Sequence, residues 1–338
     1  MTCICIIPAV EGTGGMASFR AKFEDGLGKR GIDVTHNPDD DPDAILVIGG
    51  TRHLFPLWKA RSRGVRIVQR LDGINWVHRK RNTGLRHFLR AEYGNFILSF
   101  IRKRIATHVL YQSEFSRKWW EEWYGPTRVS STVIHNGVNL DIYSPNGPHQ
   151  RPAEQYRLLV VEGSLGGGYD MGLDNAVQLA ETLQEVHDFS MELMVVGKIT
   201  DEHRARVQEH SKIPIIWVGG VQRERIPEID RSAHLLFSAD VNPACPNAVI
   251  EALACGLPVA AFDTGALNEL VVGDTGRLVP YGSDLWNLEL PDIPALAEAS
   301  TEILLGEERF RKAARAQAEK ALGLDKMVDD YLKFLLGD

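Results

Sequence analysis

The sequence predicts an α/β protein built from two doubly wound parallel-sheet domains in tandem, on three observations. Wholly apolar strand-like runs alternate with helix-like runs along almost the entire chain, and strands apolar on both faces belong to parallel sheets covered on both sides. The alternation breaks once, at NGPHQRPAEQ (residues 146–155), which is polar, contains proline and has no hydrophobic period. At 338 residues the chain exceeds one ordinary core.

In order, CICIIPAV opens as a buried strand, and a glycine turn leads into a helical stretch over residues 16–29. AILVIGG precedes a helix near residues 54–61, and VRIVQRLDG follows it. A long amphipathic stretch covers 85–105. THVLYQS, a helix over 114–123 and STVIHNGV complete the first domain, taken as residues 1–145. After the linker the pattern restarts with RLLVVEG, a helix over 173–184, ELMVVG, a helix over 202–210, IPIIWVGG, a helix over 223–232 and HLLFSA. These form a second domain over 146–324. A final helix over 325–336 is free to pack on either domain.

The net charge of −7 gives no global attraction to nucleic acid, and no nucleic-acid partner is expected. Four cysteines without metal-ligand spacing fit buried thiols in a reducing, cytoplasmic setting. MTCICIIPAV lacks a basic leader and is too short to span a bilayer.

The chemistry concentrates in residues 242–280, NPACPNAVIEALACGLPVAAFDTGALNELVVGDTGRLVP. Pro246 and Asn247 stand where a helix start is expected. A helix start offers unpaired amides and a positive dipole end to an anion such as phosphate. Glu251, one turn in, is unsuited to that anion and suited to sugar hydroxyls. Together they suggest a nucleotide or nucleotide-sugar site.

With these residues in view, nearly the whole chain resembles the GT-B glycosyltransferases of family 4, which transfer sugars with retention. VLYQSEFSRKWW is similar to the strand and helix closing that family's N-terminal domain. VIHNGVNLDIYSP is similar to its interdomain segment, and NAVIEALACGLPVAAFDTGALNELV followed by DTGRLVP to its donor-binding segment. The resemblance implies two Rossmann-like domains facing an interdomain cleft, with the C-terminal helix crossing back to the N-terminal domain. It implies a nucleotide-diphosphate sugar, UDP or GDP, held mainly by the C-terminal domain. A glycan, lipid-linked or small-molecule acceptor would face the N-terminal one. No metal and no other cofactor is implied. The departing phosphate would help deprotonate the acceptor, so no dedicated protein base is needed.

Carried onto this sequence, Glu251 would bind the ribose, and the amides of Asn247, Ala248 and Val249 would face the diphosphate. The loop with Gly163, Ser164, Gly166 and Gly167 would bring further amides to it, and Lys198 would supply a charge. Val221 and Gln222 lie at the turn where the family holds the base, and Glu269 at a Gly-x-x-x-Glu turn. Gly14 and Gly15 would face phosphate or acceptor, and Asp72 the reacting sugar or acceptor. An Asx turn ahead of Gly73 is the plainer reading of Asp72.

Three features depart from the family: Asp72 stands where many members have a histidine, and the other two concern the donor site. The family's first glutamate would fall at Pro243, and Ser164 and Met171 occupy the places of an arginine and a lysine that neutralise the diphosphate. The missing acid and cations motivate one alternative, a catalytically silent nucleotide-sugar-binding module; a GT-B nucleotide-sugar epimerase is a second, for which the sequence offers no convincing set of acid pairs.

Residues 78–104 are locally basic, with Leu85, Phe88, Leu89, Phe96, Ile97, Phe100 and Ile101 near helical spacing. A core helix with a solvated basic face is the reading adopted, with a peripheral contact to the inner membrane face kept open. Trp119, Trp120 and Trp123 read as core aromatics rather than a sugar platform.

Overall fold

A computed structural model describes residues 2–9, 12, 14–165 and 171–337. The chain divides into two compact units, Met1–Gly137 with Leu324–Asp338, and Val138–Gly323.

The sheet of unit 1 contains β1 (Cys3–Ile7), β2 (Asp33–Thr35), β3 (Ala44–Ile48), β4 (Arg66–Leu71), β5 (His108–Tyr111) and β6 (Ser130–Val133). All pairings are parallel, in the order β2-β1-β3-β4-β5-β6. The helices are α1 (Gly15–Gly28), α2 (Leu54–Ser62), α3 (Leu85–Phe100), α4 (Glu114–Tyr124) and, from the end of the chain, α12 (Leu324–Leu336). Ser113 caps α4 by accepting from the Ser116 amide at 3.0 Å, and Glu114 in its first turn suits the helix dipole. Met327, Val328, Tyr331 and Leu335 of α12 enter the core beside Phe19, Phe23 and Leu46.

β4 carries two buried polar residues, and each donates hydrogen bonds, while Gln69 Oε1 has no partner. Gln69 donates to the Gly49 carbonyl at 2.8 Å. Arg70 donates to Tyr331 Oη at 3.0 Å and Asn136 Oδ1 at 2.8 Å, and lies 3.8 Å over the Phe19 ring. Asn136 of the IHNG segment is therefore fixed to β4 by a buried guanidinium.

Of the apolar residues expected to form a core face, Ile97 in α3 and Ile101 just beyond it are buried, and the rest are not. The helix turns Ala91, Asn95, Ile97 and Ser99 inward, a mostly small and polar stripe. Asn95 satisfies its burial by bonding the main chain of Asn75. Leu85, at 75% exposure, Phe96, at 61%, and Phe88, Leu89 and Tyr93 face outward. Trp119 and Trp120 are core residues of unit 1.

Unit 2 contains β7 (Tyr156–Ser164), β8 (Met191–Lys198), β9 (Ile215–Gly219), β10 (Leu235–Phe237), β11 (Val259–Phe262) and β12 (Gly276–Val279), all parallel. Their order is β12-β11-β10-β7-β8-β9. Its helices are α5 (Met171–His187), α6 (Asp201–His210), α7 (Ile226–Arg231), α8 (Asn247–Ala254), α9 (Leu267–Leu270), α10 (Ile293–Leu305) and α11 (Glu307–Ala321). Residues 138–145, placed in the first domain by the sequence reading, pack here. Val138 and Tyr143 are in this core, and Arg315 of α11 donates to the Tyr143 and Ala254 carbonyls at 2.8 Å.

Candidate functional site

In unit 2 the chain leaves β7 toward β8 on one side and leaves β10 toward β11 on the other. Loops departing in opposite directions from adjacent parallel strands open a crevice at the carboxyl edge of the sheet, where ligands of such sheets bind.

Helix α8 begins after β10. Pro246 precedes it in extended conformation (φ −71°, ψ 116°) and provides no side-chain cap. The first N–H groups of a helix have no partner within the helix itself. Asn247 and Ala248 are half-buried, while the Val249 side chain is anchored in the core and fixes the turn. Asn247 is thus the first helical residue rather than the cap. Glu251 is buried, not the exposed surface acid that a bare helix start would allow. Near it, Asp230 of α7 is 1% exposed, and its Oδ2 has no hydrogen-bond partner. Burial first, and then the charge of Glu251, raises Asp230 well above the usual carboxylate range.

The loop joining β10 to α8 is pinned from below. The Pro243 carbonyl accepts from the Ala266 amide at 2.8 Å. Gly265 has φ +58°, and a Cβ there would lie 2.4 Å from that carbonyl oxygen. Glycine at 265 is therefore what lets the turn over 264–269 pass beneath Pro243. Glu269, in α9, is half-buried in this turn. The position lacking the family's first acid thus rests against the turn bearing the Gly-x-x-x-Glu acid.

Two further acids stand at this edge. Glu162 lies near the end of β7, and Asp240 just beyond β10, the strand beside it. Burial raises Asp240 to about 6. Burial, and then the charge of Asp240, raises Glu162 well above its ordinary value. β7 bulges here against β8, and Gly197 admits the bulge, since a Cβ at 197 would sit 2.1 Å from the Glu162 carbonyl oxygen.

The other expected residues fall at the same edge. Gly163 and Ser164 are the exposed last residues of β7, and Ser164 is paired in register with Lys198, the exposed end of β8. The Lys198 stem lies close to Gly220. Val221 and Gln222 follow β9, with Val221 against the core and Gln222 exposed. Met171, the residue at the lysine position, is buried as the first residue of α5. Gly166 and Gly167 lie outside the described residues.

In unit 1, Gly14 and Gly15 are exposed at the start of α1, which has no side-chain cap. Asp72 follows β4. Its carbonyl accepts from Ser116 Oγ at 2.8 Å and Trp120 Nε1 at 2.7 Å, so the main chain is held by α4. Burial raises its carboxyl group, opposed by the charge of Arg70. Among the described residues no group of three or more His, Cys, Asp or Glu side chains is placed to hold a metal ion.

Sequence reasoning missed Glu162 and Asp230. Glu162 was open to view as an acid closing an apolar strand ahead of a glycine run, whereas nothing in IPEID marks Asp230 as the buried acid.

Residues 158–304 match the family model described as Glycosyl transferases group 1. Over 109 residues the chain is 27% identical to 2-deoxystreptamine N-acetyl-D-glucosaminyltransferase of Streptomyces fradiae, covering 32% of this chain and 24% of that protein. Sucrose-phosphate synthase from Thermosynechococcus elongatus superposes with a TM-score of 0.74 at 17% identity, over 99% of this chain and 98% of that one. WaaG, a glycosyltransferase involved in lipopolysaccharide biosynthesis, gives 0.74 at 14% identity, over 99% and 100%. Anabaena HepE, in complex with UDP and glucose, gives 0.70 at 14% identity, over 100% of both chains. The chain has the GT-B fold, with the match to the group 1 model falling within its second unit.

Proposed function

We propose that this protein is a retaining glycosyltransferase of family-4 type that moves a hexose-type sugar from a UDP or GDP donor without a metal ion. The observation that carries the reading is the start of α8: a proline in the cap position, a first turn anchored by Val249 and a buried Glu251, at the carboxyl edge of the domain that matches the group 1 model. In the reaction, the α8 amides and dipole would stabilise charge developing on the leaving diphosphate. Glu251 would accept hydrogen bonds from the ribose. Neither role requires the absent family cations, and amides of the loop after β7 would share the diphosphate.

Calorimetry with UDP and GDP, followed by a transfer assay, tests this reading. One nucleotide should bind, and Glu251→Gln should weaken it about ten- to a hundredfold, since hydrogen bonds to a charged group are worth roughly 1.5–3 kcal/mol. Retention should appear as an unchanged anomeric configuration in the product, and a chelator should leave the rate unaltered. Failure of both nucleotides to bind would overturn the proposal and leave the silent module.

On the acceptor side the reading includes a peripheral contact with an anionic membrane. Among the described residues no helix is long and apolar enough to cross one. The outward face of α3 is apolar, and α2 adds Phe55, at 80% exposure, and Trp58. Arg61 ties α2 to the chain beyond α3 by donating to the Arg104 and Ile105 carbonyls at 2.6 and 2.9 Å. From residue 73 to 113 there are eight Lys and Arg and a single acid, Glu92, and Arg79 and His78 already bond that acid. Exposed apolar side chains beside Arg86 and Arg90 match the interfacial layer of an anionic bilayer.

A further inference from the structure

Asn242 is 6% exposed, yet its Nδ2 has no hydrogen-bond partner. A buried amide left unpaired calls for an explanation. The loop beside it is held to the turn that follows β11. The neighbouring Pro243 is bonded to Ala266 and rests on Gly265. Asn242 itself takes a left-handed backbone conformation, φ +57°, in which few residues other than glycine and asparagine settle.

The position indicates what the amide meets. Asn242 precedes α8 on the loop that leaves β10 at the carboxyl edge of the sheet. In chain order come Asn242, the helix start at Asn247 and then Glu251. A nucleotide sugar has the matching order: sugar, diphosphate, ribose. If the helix start holds the diphosphate and Glu251 the ribose, the group ahead of the helix meets the sugar. A sugar hydroxyl can accept the Nδ2 hydrogen bond, as a phosphate oxygen also could, so the order along the chain is what favours the sugar.

We propose that Asn242 holds a hydroxyl of the transferred sugar and is a determinant of donor-sugar specificity. It takes a place beside Pro243, where this chain has no carboxylate. The inference rests on the donor-site reading above.

The test is Asn242→Gly, which removes the amide and keeps the left-handed backbone. Two ligand pairs serve as probes, UDP with UDP-glucose and GDP with GDP-mannose, using whichever pair the wild-type protein binds. Nucleotide-sugar affinity should fall roughly tenfold while that for the nucleotide alone stays within about twofold. The Tm should not fall, since an unpaired buried amide has been removed. Equal losses for nucleotide and nucleotide sugar would place Asn242 on the diphosphate or nucleoside and overturn the proposal. Unchanged affinity for both, as expected if bound water satisfies the amide, would also overturn it. Failure of the wild-type protein to bind either pair would instead defeat the donor-site reading on which the proposal stands.

Discussion

Helices α3 and α5 are both crossover helices with apolar residues at helical spacing, yet they use those residues in opposite ways. α5 buries Leu173, Ala176, Leu179, Ala180 and Leu183 against its sheet. α3 turns Ala91, Asn95 and Ser99 inward and leaves Leu85, Leu89 and Phe96 outside. Periodicity shows that a helix has an apolar face. It does not show what covers that face. In unit 2 the apolar face serves the core, and the site is built at the strand ends. In unit 1 the apolar face is left over after the core is complete.

Truncation at matched positions breaks the comparison most directly. Leu179→Ala should destabilise the protein by about 2–5 kcal/mol through a buried cavity, whereas Leu89→Ala should stay within about 0.5 kcal/mol. Urea unfolding reads both, and comparable losses would mean that the α3 face is packed in solution. The next effect concerns what the face is for. Co-sedimentation with phosphatidylglycerol vesicles should exceed that with phosphatidylcholine vesicles and decline with salt. Arg86→Ala with Arg90→Ala should remove about 2 kcal/mol of it, roughly thirtyfold. Equal binding to both vesicle types, or to neither, would count against an anionic membrane as the partner.

Much of the architecture was legible because parallel strands buried on both faces must be apolar throughout. CICII, AILVI and MELMVVG could hardly be anything else, and the α8 segment declared itself through Pro246, Asn247 and Glu251. Polar residues inside the core were less legible. Nothing local separates Asn95, buried against Asn75, from a surface asparagine, so the inward stripe of α3 was misread. The domain boundary was drawn at a composition change near residue 146, whereas packing divides the chain at Gly137. Arg315, far along the sequence, holds residues 140–143 to unit 2. Asp230 and Asn242 became visible only with burial, because an unpaired polar atom is a property of its surroundings.

The smallest expected effect separates the two carboxyl edges by their acids. In unit 1, Asp72 lies near the buried cation Arg70, which opposes the effect of burial on its carboxyl group. In unit 2, burial raises Asp240 to about 6, and burial and then the charge of Asp240 raise Glu162. A carboxyl group raised by folding is stabilising when protonated. Its contribution is full below the unfolded value near 4 and is lost as pH rises through about 6. Wild-type stability should therefore decline from about pH 4 toward pH 7 by an amount that Asp240→Asn removes, because the amide neither ionises nor repels Glu162. Urea midpoints of the two proteins should agree best at the acid end and diverge toward neutrality, with the variant the more stable. A gap that stays constant across this range would mean that Asp240 is ionised throughout, and that the strand-end acids of unit 2 are no more strained than Asp72.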